Sequence, residues 1–267
     1  MTPENYLRDR ASKLGLLFVI FVIVHTVYTL VVRPQAAAWL VEQKVISQQQ
    51  PGYQPGRSLF VIIKDYEQET TIILAIWALL LAGMRSAEIN RQRKLLSSDL
   101  MRLPPGYVIL PSDVREYSRR LEELPPKERN AVPARVLRLA LKRFGATGNI
   151  QDASTTVHNV AESEAARLDA ELAILRFSVW ATPAIGFVGT VRGIGIALQG
   201  AQLAFKGDTT AVTSGLGISF NSTLIALSLS IVLMYVLHEI QLAQERLVLD
   251  TEQYADEQLV SRMQKSG

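Results

Sequence analysis

Thr182-Pro183-Ala184-Ile185-Gly186-Phe187-Val188-Gly189-Thr190-Val191-Arg192-Gly193-Ile194 is the stretch on which the fold turns. It sits inside an apolar run from Phe177 to Phe205, where Thr182, Gly186, Gly189, Gly193, Ala197, Gly200 and Ala204 recur at steps of three or four. That period places them on one face of an α-helix. In lipid, apolar side chains gain little by leaving the solvent, so helices associate where small residues let their backbones approach. Pro183 is tolerated near the start of such a helix once neighbouring groups satisfy the freed carbonyl. A second run, Val212 to His238, repeats the spacing with Gly215, Ser219, Thr223, Ala226 and Ser230. The turn between them, Lys206 to Thr210, is short and polar, so the two runs form a hairpin. At about 1.5 Å per residue each helix approaches or exceeds about 40 Å, longer than the roughly 30 Å hydrocarbon core.

Two more runs precede the hairpin. Leu14 to Val32 holds nineteen residues, long enough to span. Arg8, Arg10 and Lys13 before it and Ala36 to Ala38 after it invite a signal-peptide reading, but the run exceeds the usual 7–15-residue apolar core and Arg33-Pro34 interrupts the cleavage region. A retained helix is the better reading. Thr70 to Met84 is only fifteen residues and spans by borrowing its flanks through snorkelling. Residues 33–69 carry Gln48, Gln49, Gln50, Pro51, Gly52, Pro55 and Gly56 and read as an external loop. Residues 88–175 are charged and broken by Pro104-Pro105, Pro111 and Pro125-Pro126, with helical stretches at 85–102, 112–124, 128–144 and 152–175. Arg85, Arg91, Arg93 and Lys94 follow the second run, and such clusters mark the cytoplasmic side.

The expected layout is an all-α, polytopic membrane bundle with four transmembrane helices and a cytoplasmic helical domain. Its segments are a cytoplasmic N-terminus (1–13), spans at 14–32 and 70–87 around a periplasmic loop (33–69), and the cytoplasmic domain (88–175). Spans at 176–205 and 212–238 follow, joined by a periplasmic turn (206–211), and then a cytoplasmic tail (239–267) that continues the fourth helix in water. Both termini fall on the cytoplasmic side of a bacterial inner membrane.

Composition removes several function classes. With no cysteine there is no disulfide, cysteine-ligated zinc or cysteine nucleophile. A net charge of +3, with Lys and Arg interspersed among acids, gives no basic face for nucleic acid. No Ser-His-Asp set, metal-spaced histidine cluster or phosphate-cradling loop occurs, so no enzyme, metal or cofactor is expected. The runs as delimited contain no Asp, Glu or Lys inside, whereas a proton relay normally needs a titratable group at membrane depth. The missing carboxylate would come from a partner. His25 is the chain's own titratable candidate, though a lone histidine in an apolar helix is more often packed and neutral. Thr190 and Thr223 place hydroxyls at depth, where each either lines a polar path or bonds its own i−4 carbonyl and is silent. Arg192, in the outer half of the third helix, either snorkels outward or pairs with a partner or repels cations at the pore mouth. The glycines, with Ala197 and Ala226, are first of all helix-packing residues.

Residues 182–194 resemble the P-x-x-G-L-x-G-T-V-x-G-I segment of the MotA/TolQ/ExbB proton-channel family. Similarly, Gly217-Ile218-Ser219-Phe220-Asn221-Ser222-Thr223-Leu224-Ile225-Ala226-Leu227-Ser228-Leu229-Ser230-Ile231 looks like its last helix, and the likeness covers about 160–245. The resemblance implies a homopentamer around two single-helix partners of the ExbD, TolR or MotB type, which carry the ion-binding Asp. Ion flow then drives rotation or mechanical work. It also implies that Thr190 and Thr223 face the pore, with Ser219 and Ser230 continuing the lining. Arg192 departs from the aromatic common in the ExbB and TolQ branches, and Asn221 stands where some relatives carry Asp. Those departures leave proton and sodium both open. A non-conducting scaffold or signalling subunit with the same packing is the alternative.

Overall fold

The structure, a computed structural model, describes residues 3–50, 53, 56–101, 103–104 and 106–264. The expected turn residues Pro51, Gly52, Pro55 and Pro105 lie outside them. Every regular element described is helical: α1 (Pro3–Val27), a π segment (Tyr28–Val32), α2 (Arg33–Gln49), α3 (Leu59–Ile63), α4 (Tyr66–Ser97), α5 (Val114–Glu122), α6 (Pro126–Arg129), α7 (Val132–Thr147), α8 (Ile150–Glu171), α9 (Ala173–Gln199), α10 (Ala201–Ala204) and α11 (Thr210–Gln258). A 3-10 turn at Val260–Arg262 is the last helical element among the described residues. Among the described residues, four stretches are long and apolar enough to cross a membrane: Arg10–Gln49, Tyr66–Ser97, Ile150–Gln199 and Thr210–Arg262.

The chain divides into two compact units. The first joins Met1–Leu81 with Ile174–Val236. Its helices leave Phe18, Phe21, Ile23, Trp180, Phe187 and Phe220 exposed, the all-round apolar character of helices whose solvent is lipid. The loop expected over 33–69 is helical from Arg33 to Gln49. No turn signal occurs before Gln48, and Pro34 falls in the first turn of α2, where no intrahelical N–H is needed. The π segment adds a residue to one turn and turns Tyr28 and Val32 inward, in line with Ala36. The second span also differs from expectation, since α4 begins at Tyr66 and takes Glu67 and Glu69 into the helix.

Within this unit α9 and α11 run antiparallel at backbone contact. A Cβ on Gly186 would meet the Ala226 side chain, one on Gly189 Ser222, one on Gly193 Ser219 and the Gly215 carbonyl, and one on Gly200 Ala211. The pairing steps steadily along both helices, as the small-residue period requires. In the turn between them Asp208 Oδ1 accepts the Thr210 amide proton at 3.0 Å, capping α11. The hydrogen bonds from Thr210 hold the Asp208 carboxyl below its ordinary pKa.

The second unit joins Ala82–Ala173 with Leu237–Gly267. Val132, Val136, Leu137, Ala140, Leu141 and Phe144 of α7 form a stripe that packs with Val157 and Ala161 of α8 and Ala255 and Leu259 near the chain's end. Gln92 Oε1 accepts the Val132 amide proton at 3.0 Å, satisfying a donor at the α7 N-terminus. Gly148 takes φ 60° to end α7, and Asn149 caps α8 by accepting the Gln151 amide proton at 3.0 Å. Removing that cap with Asn149→Ala is expected to lower the unit's stability by about 1 kcal/mol, read as a fall in melting temperature. Glu164, 3% exposed, is held by Arg135 at 2.8 Å and Arg167 at 2.7 Å. The segment after α11 is pinned by Ile109, whose amide donates to the Arg262 carbonyl at 2.7 Å and whose carbonyl accepts from the Gln264 amide at 3.0 Å.

Candidate functional site

The α9–α11 seam brings the expected hydroxyl residues together. Thr190 and Thr223 touch through their hydroxyls. Thr190 Oγ1 also lies 3.2 Å from the Gly186 carbonyl, and Thr223 Oγ1 lies 3.1 Å from the Ser219 carbonyl. A hydroxyl has one proton and two lone pairs, so when one threonine donates to the other and the second donates to its helix carbonyl, each oxygen still keeps acceptor capacity. Both threonines are half-buried. Ser219 and Ser230 are placed otherwise: they are buried between the helices, Ser219 donating toward the Thr190 carbonyl at 3.0 Å and Ser230 toward the Val179 carbonyl at 3.3 Å. Each crosses the seam to an oxygen left available on the facing helix, and they fasten α9 to α11.

The packing set falls where expected, with Gly186, Gly189, Gly193, Ala197, Gly200 and Ala226 all buried. Ser222 was missed. It faces Gly189 and donates to the Ile218 carbonyl at 2.8 Å. Its position three after Ser219 and four before Ala226 is the signal that would have found it. Asn221 is half-buried.

Arg192 lies near the midpoint of the Phe177–Phe205 run and is paired within the chain. Its Nε and Nη2 donate to the two carboxylate oxygens of Glu67, at 2.6 and 2.7 Å, with Asp65 3.7 Å away. The Glu67 side chain lies against the Gly189 backbone, one residue from Thr190. His25 is also paired: its Nδ1 is 2.7 Å from Glu69 Oε1, and Arg33 binds the other Glu69 oxygen. The span boundary drawn at Thr70 left these carboxylates outside the run as a polar flank, and the structure sets Glu67 against Arg192 of the third run. A charged side chain inside an apolar run is stabilised by such pairing. Bidentate geometry makes the Arg192–Glu67 pair the stronger kind. Among the described residues no cluster of three or more His, Asp or Glu is arranged to hold a metal.

Residues 128–253 match the MotA/TolQ/ExbB proton channel family. This stretch, a little under half of the chain, is similar to that family. The MotA/TolQ/ExbB match extends beyond the 160–245 that the hairpin motifs cover, taking in α7, α8 and the length of α11 to Thr251 and Gln253. No curated protein matches the chain. Members of the family are membrane-embedded channel subunits that work with ExbD-, TolR- or MotB-type partners.

Proposed function

We propose that this chain is the ion-conducting stator subunit of a membrane motor driven by proton-motive force. Five copies surround a pair of single-helix ExbD/TolR/MotB-like partners in a bacterial inner membrane, with both termini in the cytoplasm. The observation that carries the reading is the contact between the Thr190 and Thr223 hydroxyls on a seam built for close helix approach. Their lone pairs offer oxygen acceptors to a hard cation, hydronium or sodium, passing to the partner's aspartate. With about 2.3 kcal/mol available per charge per 100 mV, a few ions per step supply useful work.

Co-reconstitution with a single-helix partner in liposomes, followed by proton flux under an imposed potential, tests this. Flux requires the partner, and Thr223→Val lowers it by about tenfold, the ~1.4 kcal/mol equivalent of one hydrogen bond to the ion. One observation favours the second reading, a scaffold that does not conduct: the hydroxyls of Thr190, Ser219, Ser222, Thr223 and Ser230 all have backbone carbonyls in reach. A stable complex that carries no flux, with or without Thr223→Val, would establish the scaffold instead.

A further inference from the structure

Within the first unit, α1, α4 and α9 line a groove of about 680 Å³ to which neither Thr190 nor Thr223 contributes. That volume is the size of a small-molecule site, and such sites are mostly apolar with a few placed polar groups. Phe18, Phe21 and Phe177 line the groove and are exposed. It therefore opens on the surface that these apolar runs present to lipid. Helices α1 and α4 are held together by Trp77, whose Nε1 donates to the Lys13 carbonyl at 3.0 Å.

Four polar side chains share the lining: His25, Tyr66, Glu69 and Thr70. Two are already committed. Thr70 Oγ1 donates to the Tyr66 carbonyl at 2.8 Å. Glu69 has Oε1 2.7 Å from His25 Nδ1 and Oε2 bound by Arg33. A ring nitrogen at that distance from a carboxylate oxygen carries a proton, so Nδ1 is an N–H in either protonation state of the imidazole. Nε2 is left over, with no hydrogen-bond partner among the described residues, and the His25 side chain is 45% exposed. The ring is also fixed in orientation, stacked on Phe21 with centroids 5.5 Å apart and planes 6° from parallel. Tyr66 contributes its own ring, which the Arg33 guanidinium covers at 4.4 Å from the centroid.

These commitments restrict what the groove suits. Glu69 and Arg33 neutralise each other, so the lining offers neither a free cation to a phosphate nor a free carboxylate to an amine. The matching head is uncharged. It carries a hydroxyl, which donates to the Nε2 lone pair of a neutral imidazole and accepts from Nε2–H of a charged one. Three phenylalanines and the Tyr66 ring favour an aromatic head, because aromatic pairs gain beyond the area they bury. We propose that this groove binds a phenol or quinol with an apolar tail, His25 Nε2 meeting the phenolic hydroxyl and the phenylalanines seating the ring. Glu69 is a positioning residue that fixes the imidazole tautomer, and Arg33 in turn holds Glu69. The ligand enters from the bilayer, and its binding stands whether or not the hydroxyl seam conducts.

The test compares two probes on the full chain in lipid nanodiscs, with uptake by empty nanodiscs subtracted: para-decylphenol, and decylbenzene, which has the same ring and tail without the hydroxyl. Saturable binding of the phenol is expected, about tenfold tighter than decylbenzene, the effect of one hydrogen bond. Equal affinities, or no saturable binding of either, overturn the proposal. This comparison needs no variant, so it decides even where a variant fails to fold. His25→Phe keeps a ring that stacks and is expected to bring the two probes to equal affinity. A preference for the phenol that survives it overturns the proposal. Phe18→Ala, at an exposed position, is expected to weaken both probes about threefold or more. Unchanged binding of both there removes the aromatic seat and overturns the proposal. Dioleoylglycerol, a neutral lipid hydroxyl with no ring, is the competitor. If it displaces the phenol at equal concentration, the groove belongs to a glycerolipid and the proposal falls.

Discussion

Gly193→Val is expected to disrupt the hairpin, lowering the melting temperature and, for the proposed stator subunit, abolishing both a defined oligomer in detergent and flux. The reason is what a side chain there would strike. A Cβ on Gly193 would lie 2.5 Å from the Gly215 carbonyl oxygen and 2.7 Å from the Ser219 amide nitrogen, both backbone atoms of α11. A flexible side-chain end could swing aside, but a helix backbone moves only as a whole. Separating α9 from α11 would also break the Ser219 and Ser230 bridges and part the Thr190–Thr223 contact. Overpacking of a well-filled core typically costs about 1–3 kcal/mol, and a clash with backbone lies at or above the top of that range. The control is in the same two helices. Gly195 and Gly217 have nothing within 4 Å of an added Cβ, so Gly195→Ala and Gly217→Ala are expected to leave elution and melting unchanged. Equal disruption by those two would show that glycine is required for something other than this seam.

That seam was the most legible part of the molecule because its cause is local in sequence. Two helices that touch by their backbones must write small residues at helical spacing into each chain, and Gly186, Gly189, Gly193 against Gly215, Ser219, Ala226 do so. The last helix was equally open beyond its apolar run. Ile240, Leu247, Val248, Thr251 and Ala255 keep the core-facing spacing well past the charged tail's first residues, and α11 continues to Gln258. The start of α4 was not legible. Lys64, Asp65, Glu67 and Glu69 read as a polar flank, because a charge in sequence signals water unless its counter-charge is known. Their partners, Arg192, Arg33 and His25, lie 125, 36 and 44 residues from the carboxylates they bind. No period or motif announces a pairing at such separations. The helix of residues 33–49 was hidden for a different reason. Arg33-Pro34 looks like a stop, yet a proline at the first turn after a π segment begins a new stretch of helix as readily as it ends one.

The double substitution Glu67→Leu with Arg192→Leu is expected to melt within about 1 kcal/mol of the parent, while each single substitution is destabilised by about 3–5 kcal/mol. The asymmetry follows from depth. Removing Glu67 leaves Arg192 near the middle of an apolar run with only Asp65, at 3.7 Å and already engaged by Lys64. Removing Arg192 leaves the Glu67 carboxylate facing the backbone of α9 at Gly189 with nothing to neutralise it. Either orphan must hydrate, move or change protonation, and each of those disturbs the packing of α4 on α9. Deleting both charges removes the pairing and the desolvation penalty together, and leucine suits an apolar contact between α4 and α9. The coupling energy from this thermodynamic cycle, measured by thermal melting in a defined detergent, should therefore be several kcal/mol and favourable. Flux separates structure from function in the same four proteins. If the pair only fastens α4 to α9, the double variant conducts like the parent. A double variant that melts normally but has lost flux would place Arg192 and Glu67 in the ion's path beside Thr190, where their charges set the field that a passing cation meets.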